Sequence, residues 1–177
     1  MYTRAYKLDG GLSGLYVKSS IIFVMCFLLL SGCGFKLRGA YKLPVEMQVT
    51  YVDATQKNST LTRALIRNLK ASDIKIAENI ADNIAVLKLS QESRTKRIVS
   101  VDANGRAREY TLTYAIDFHV KVIESKFEIE NQSISIDRDF QFDTEDVLGN
   151  SREESQLYEE MQQDLIRLIL LRLQSKA

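Results

Sequence analysis

The stretch 110–122, YTLTYAIDFHVKV, constrains the fold more than any other part of this 177-residue chain. Tyr110, Leu112, Tyr114, Ile116, Phe118, Val120 and Val122 are apolar. Thr111, Thr113, Asp117, His119 and Lys121 between them are polar, with only Ala115 breaking the alternation. A period of two marks a strand with one buried and one wet face. Such a strand requires neighbours and a covering layer, so the chain must build a sheet with something packed on one side. Asn104-Gly105 just upstream predicts a type I′ hairpin turn, in which both central residues take positive φ. A two-residue turn there sets Val99 against Tyr110, Leu89 against Val120 and Leu87 against Val122. The same register places Thr95, Ser93 and Gln91 opposite Tyr114, Ile116 and Phe118, so either a bulge intervenes or a helix covers that patch.

The flanking segments supply the remaining elements. Met47, Val49 and Tyr51 alternate within 46–53 and predict a first strand. Ser59 is placed to cap a helix over 60–71, whose apolar stripe is Leu61, Ala64, Leu65 and Leu69. Arg63, Arg67 and Lys70 fall off that stripe and read as a solvated face. Residues 84–89 begin a second strand. After residue 122, Phe127 and Ile129 are odd-numbered, whereas Ile134, Ile136, Phe140 and Phe142 are even, which predicts a bulge near 130–132. Arg138 interrupts that second apolar set. Ser151 and Glu154 match a capping box opening a last helix, with Leu157, Met161, Leu165 and Leu168 as its stripe to about Leu173. The expectation is an α+β fold: a small mixed or antiparallel four-stranded sheet with two helices packed on it, in the order β-α-β-β-β-α, as a single domain over 45–177.

The N-terminus reads as an address. Residues 21–30, IIFVMCFLLL, are ten consecutive apolar residues, about half of what a membrane-spanning helix needs. Lys18 flanks them on the positive side, as in a secretory signal. They end in Leu30-Ser31-Gly32-Cys33, which resembles a bacterial lipobox. That resemblance implies a signal peptide over 1–32, cleavage before Cys33, diacylglyceryl and N-acyl chains on Cys33, and a lipidated tether over 33–44. One acyl chain holds only marginally to a membrane and several hold stably. In the enterobacterial lipoproteins that this segment resembles, aspartate after the cysteine commonly retains the chain in the inner membrane, so Gly34 there implies the outer membrane. Removing residues 1–32 takes away three cations and one carboxylate, so the net charge changes from +1 to −1. Cys26 leaves with the signal, so no free thiol remains for a disulfide.

Little catalytic material is present. A net charge near zero gives no global basic field for nucleic acid. The single histidine, His119, has no second histidine to join it, and no Gly-x-Ser-x-Gly elbow, P-loop or dinucleotide fingerprint occurs. Asp143, Glu145 and Asp146 lack the spacing of a calcium loop. No cofactor, metal or enzymatic activity is expected.

Cys33-Gly34-Phe35-Lys36-Leu37-Arg38-Gly39 resembles the start of the mature chain in the LPS-assembly lipoprotein family, LptE or RlpB. Residues 61–69 and Asn104-Gly105 followed by Glu109-Tyr110 agree with it. The resemblance implies a non-enzymatic outer-membrane lipoprotein with a small mixed sheet and two helices. It would lie on the periplasmic side and within the lumen of a large β-barrel, LptD. There it would support the barrel's assembly, plug it, and contact lipopolysaccharide on its way to the outer leaflet. Lipid A carries phosphates, which arginine forks and lysine point charges bind. Candidate lipopolysaccharide contacts are Arg94, Lys96, Arg97, Arg106, Arg108 and Arg152. Family members can carry a basic residue before the Asn-Gly turn and another ahead of the last helix, where this chain has Ala103 and Asn150. For each cation taken alone, a solvated hairpin end explains it equally well. Two further classes stay open: another outer-membrane scaffold, such as a barrel-assembly subunit or a secretin pilotin, and a lipoprotein hydrolase, which the lone histidine disfavours.

Overall fold

The computed structural model describes residues 41–176. The signal segment, Cys33 and most of the tether expected at 33–44 lie outside the described residues. After a single 3-10 turn at Val45–Met47 come β1 (Val49–Ala54), α1 (Thr60–Ala71), β2 (Lys75–Ile76), β3 (Ala85–Val101), β4 (Ala107–Val122), β5 (Glu128–Gln141) and α2 (Val147–Gln174). The sheet order is β2-β1-β3-β4-β5. β1 runs parallel to β2 and β3, and β3, β4 and β5 form an antiparallel meander. The α+β class with two helices is as expected, and the sheet gains a fifth strand. β2 is only two residues long, too short for any periodicity to announce it.

α1 forms where the sequence places it. The Ser59 hydroxyl accepts from the Thr62 N–H at 3.0 Å, and Leu61, Leu65 and Leu69 are fully buried. It crosses over between parallel strands and covers the sheet face to which Thr50 and Ala54 of β1 belong. The first strand starts later than expected, at Val49, because Met47 is used in the 3-10 turn, its N–H donating to the Pro44 carbonyl. β4 alternates as its sequence demands, with every even residue from Leu112 to Val122 buried and the odd ones partly or fully exposed. Both helices contribute to the same core on that even-numbered face. The opposite face is polar, with Thr111 and Thr113 donating to Asp139 and Asp137.

The expected hairpin turn is corrected. Among non-glycine residues positive φ occurs at Asp73, Asn83, Gln91 and Glu124, and Asn104 is not among them; only Gly105, at φ 77°, takes it in this turn. The turn therefore holds three residues between Asp102 and Arg106, whose backbones bond to each other. The Asp102 carboxylate selects it by accepting from the N–H groups of Asn104 and Arg106, at 2.8 and 2.9 Å. The Arg106 N–H, reinforced by that of Asn104 and the charges of Arg106 and Arg108, holds the Asp102 carboxyl below its usual range. The register shifts by one residue from a two-residue turn, setting Ile98, not Val99, opposite Tyr110. A further bulge between Ser90 and Ser93, at Gln91 with φ 55°, shifts it by one more residue, so that Leu89 faces Phe118 instead of Val120 and Leu87 faces Val120 instead of Val122. Bulge and covering helix thus both occur. The bulge expected in β5 lies at residues 130–131, between the Phe118–Gln132 and Val120–Ile129 pairs.

The last helix begins one turn before the expected capping box. Asp146 is its cap, its side chain accepting from the Gly149 N–H at 2.8 Å, and Ser151 sits inside the helix with its carbonyl accepting from Ser155 Oγ. Arg138, on the core-facing parity of β5, meets α2 through Asp164 at 2.8 Å. That ion pair explains how a cation is tolerated on an apolar face.

Candidate functional site

The bulge at Gln91 decides where the candidate cations point. Beyond it, the even residues of β3 share the helix-covered face, because Arg94 lies opposite Tyr114 and Lys96 opposite Leu112. Arg94 Nη2 donates to the Tyr114 hydroxyl at 2.9 Å and to Thr60 Oγ1 at 3.2 Å. Its guanidinium carbon is 4.4 Å from the Tyr114 ring centroid and 5.4 Å from that of Tyr158. The Tyr114 hydroxyl in turn donates to Glu92 Oε1 at 2.7 Å. Burial, and then that bond to Glu92, raise the Tyr114 hydroxyl to about 12, against the opposing effect of Arg94. Lys96 Nζ pairs with Glu154 Oε2 at 2.6 Å and lies 4.3 Å from the Tyr110 ring centroid. Both cations are therefore engaged in packing α2 onto the sheet.

The other four are differently placed. Arg97, opposite Thr111, belongs to the open polar face. Arg106 and Arg108 are exposed at the hairpin end, and Arg152 is exposed on the second turn of α2. Phe142 N–H donates to the Arg108 carbonyl at 2.7 Å, so β5 ends beside the hairpin end and α2 begins close behind it. Asn150, where the resemblance expects a basic residue, is only 6% exposed. Its amide clasps the loop backbone at Asp143, with Oδ1 accepting from the Asp143 N–H and Nδ2 donating to the Asp143 carbonyl. A lysine or arginine cannot reproduce that donor and acceptor pair.

Sequence periodicity missed an apolar component at this end. Ile98, Val99 and Val101 on β3 are each more than half exposed, and so are Val147 and Leu148 at the start of α2. At the hairpin end Ile98 and Val101 lie across from the arm that carries Arg106 and Arg108, and Leu148 shares one surface of α2 with Arg152, so apolar and cationic side chains adjoin in both places, whereas Arg97 belongs to the opposite polar face. That combination suits a ligand with anionic groups attached to hydrocarbon. Among the described residues no group of three or more His, Cys, Asp or Glu is arranged around a metal position. None of the described helices is long and apolar enough to cross a membrane.

Comparison with known proteins covers most of the described residues. The family model described as "LptE: Lipopolysaccharide-assembly" matches residues 45–173. The chain is 27% identical over 156 residues to the LPS-assembly lipoprotein LptE of Pectobacterium atrosepticum, covering 85% of this chain and 84% of that one. It is 26% identical over 154 residues to the protein of the same name from Photorhabdus laumondii, covering 87% and 84%. Among solved structures it is similar to rare lipoprotein B of Shewanella oneidensis, with a TM-score of 0.64 and 28% identity over 72% of this chain and 94% of that one. A lipoprotein B from Nitrosomonas europaea gives 0.59 at 28% identity, covering 77% and 88%.

Proposed function

Because the chain belongs to the lipopolysaccharide-assembly LptE family, we propose that it is a non-enzymatic outer-membrane lipoprotein. It is anchored through acyl chains on Cys33, supports and plugs an LptD-type β-barrel, and binds lipopolysaccharide directly on its way to the outer leaflet. The observation that carries the binding step is the hairpin end, where Arg106 and Arg108 are exposed beside Ile98, Val99 and Val101. Guanidinium forks match the phosphates of lipid A, and the aliphatic side chains match its hydrocarbon. Arg94 and Lys96 have a different role in this reading: they hold α2 on the sheet and so keep the end rigid. The mechanism needs no chemical step. A rigid domain inside a barrel excludes bulk water from the lumen and presents the cations to an anionic glycolipid on a preformed backbone, so only their side chains are ordered on binding.

The test is lipopolysaccharide binding by the Arg106→Ala, Arg108→Ala double variant. Each charge-assisted hydrogen bond contributes about 1.5–3 kcal/mol, so affinity falls at least tenfold while thermal stability and barrel association are kept. Unchanged lipopolysaccharide binding refutes the role of these arginines, and lost barrel association reassigns them to the partner interface.

A further inference from the structure

A second cationic site lies away from the hairpin end, between the two helices. A cleft of about 450 Å³ is lined by Arg63 and Arg67 of α1, Arg94 of β3, and Tyr158 and Glu159 of α2. Three guanidinium groups thus face one carboxylate. α1 carries Arg63, Arg67 and Lys70 and no acidic residue. Arg63 and Arg67 are four residues apart on one helix face, a spacing at which like charges repel. Among the described residues neither forms an ion pair within 4.0 Å, although Lys96, Arg138 and Arg167 all do. The cleft is also held open in a defined shape. Thr60 Oγ1 donates to Gln162 Oε1 at 2.6 Å across the helices, and accepts from Arg94, which Tyr114 and Glu92 hold from below. Arg94 lines the cleft, and both of its hydrogen bonds leave from Nη2, so among the described residues its Nη1 and Nε have no protein acceptor.

We infer that this inter-helix cleft binds a phosphate-bearing anion, held by Arg63, Arg67 and Arg94. Three planar forks match the several acceptor oxygens and double charge of a phosphate better than a lone carboxylate. Bound phosphate relieves the repulsion between Arg63 and Arg67 and bridges α1 to α2, two helices otherwise joined by few contacts. The phosphate can belong to a soluble molecule or to a lipid headgroup, and the site is independent of the hairpin end.

The experiment is calorimetric titration of the full chain in a nonionic detergent with inorganic pyrophosphate. Binding is expected, weakening with added salt. Arg63→Ala with Arg67→Ala lowers affinity by about tenfold or more, from charge-assisted bonds of this kind. Arg63→Lys with Arg67→Lys retains part of it, and Arg106→Ala with Arg108→Ala leaves it unchanged. Micelles doped with phosphatidylglycerol that displace pyrophosphate, where phosphatidylcholine does not, identify a lipid headgroup; failure to displace identifies a soluble phosphate. Absence of pyrophosphate binding, or equal loss in the helix and hairpin variants, overturns the inference. Because the hairpin variant is read in parallel, failure here leaves the lipopolysaccharide reading standing on its own test.

Discussion

Replacing Phe118 by alanine tests the sidedness of the sheet on which every placement above depends. Phe118 is 0% exposed, paired with Leu89 on β3 and Gln132 on β5, and lies among the residues packed under the helices. Truncating a buried phenylalanine costs about 3–5 kcal/mol, from lost transfer energy and the cavity left behind. At this size about 1 kcal/mol lowers Tm by roughly 4 °C, so Tm should fall by about 12–20 °C. Thr113→Ala, five residues earlier on the opposite face, removes a hydrogen bond to Asp137 Oδ1 of 2.7 Å and little packing. It should cost about 1 kcal/mol. Urea denaturation followed by circular dichroism gives both values, with unchanged m-values showing that the unfolding reaction is the same. Equal costs, or a larger cost for Thr113→Ala, would falsify the assignment of faces on β4.

Three further outcomes follow from single features. Gln91 is exposed with φ 55° at the bulge that resets β3, so Gln91→Gly should stabilise the fold by about 0.5–1 kcal/mol in urea; a net loss of stability contradicts strain at that position. The Tyr114 hydroxyl, raised to about 12 by burial and then by Glu92, holds its proton more tightly in the folded chain than the ordinary value near 10. Its contribution is complete below pH 10 and is lost as pH rises through about 12, so the urea midpoint should fall across that window less steeply in Tyr114→Phe; parallel profiles exclude the effect. Mass spectrometry of chain extracted from membranes should find diacylglyceryl and N-acyl groups on Cys33, and a free Cys33 thiol or another N-terminus rules out lipid anchoring there.

Features set by local chemistry were legible before the structure, and those set by competition between nearby signals were not. α1 was readable because Ser59, Leu61, Leu65 and Leu69 agree on one helix, and β4 because its alternation runs uninterrupted on both sides of Ala115. The hairpin turn was misread because Asn-Gly suits a two-residue loop, while the Asp102 carboxylate two residues earlier stabilises the three-residue one. The start of α2 was misplaced for the same reason, with Asp146 outcompeting Ser151 as the cap. Of the six candidate cations, the sequence could not separate Arg94 and Lys96 from Arg97, Arg106, Arg108 and Arg152. Their division depends on a one-residue bulge at Gln91, which the alternation allowed as one of two possibilities without placing it. The cleft holding Arg63 and Arg67 was invisible because it exists only where two helices, far apart in sequence, lie side by side.

We propose that this chain works inside a lipopolysaccharide-exporting barrel. Affinity purification of the full chain from detergent-solubilised outer membrane, with the recovered proteins and lipids identified by mass spectrometry, tests it most directly. Stoichiometric recovery of a large LptD-type β-barrel together with lipopolysaccharide is the predicted result. Recovery of a secretin or the general barrel-assembly complex, or of the chain alone without barrel or lipopolysaccharide, contradicts it.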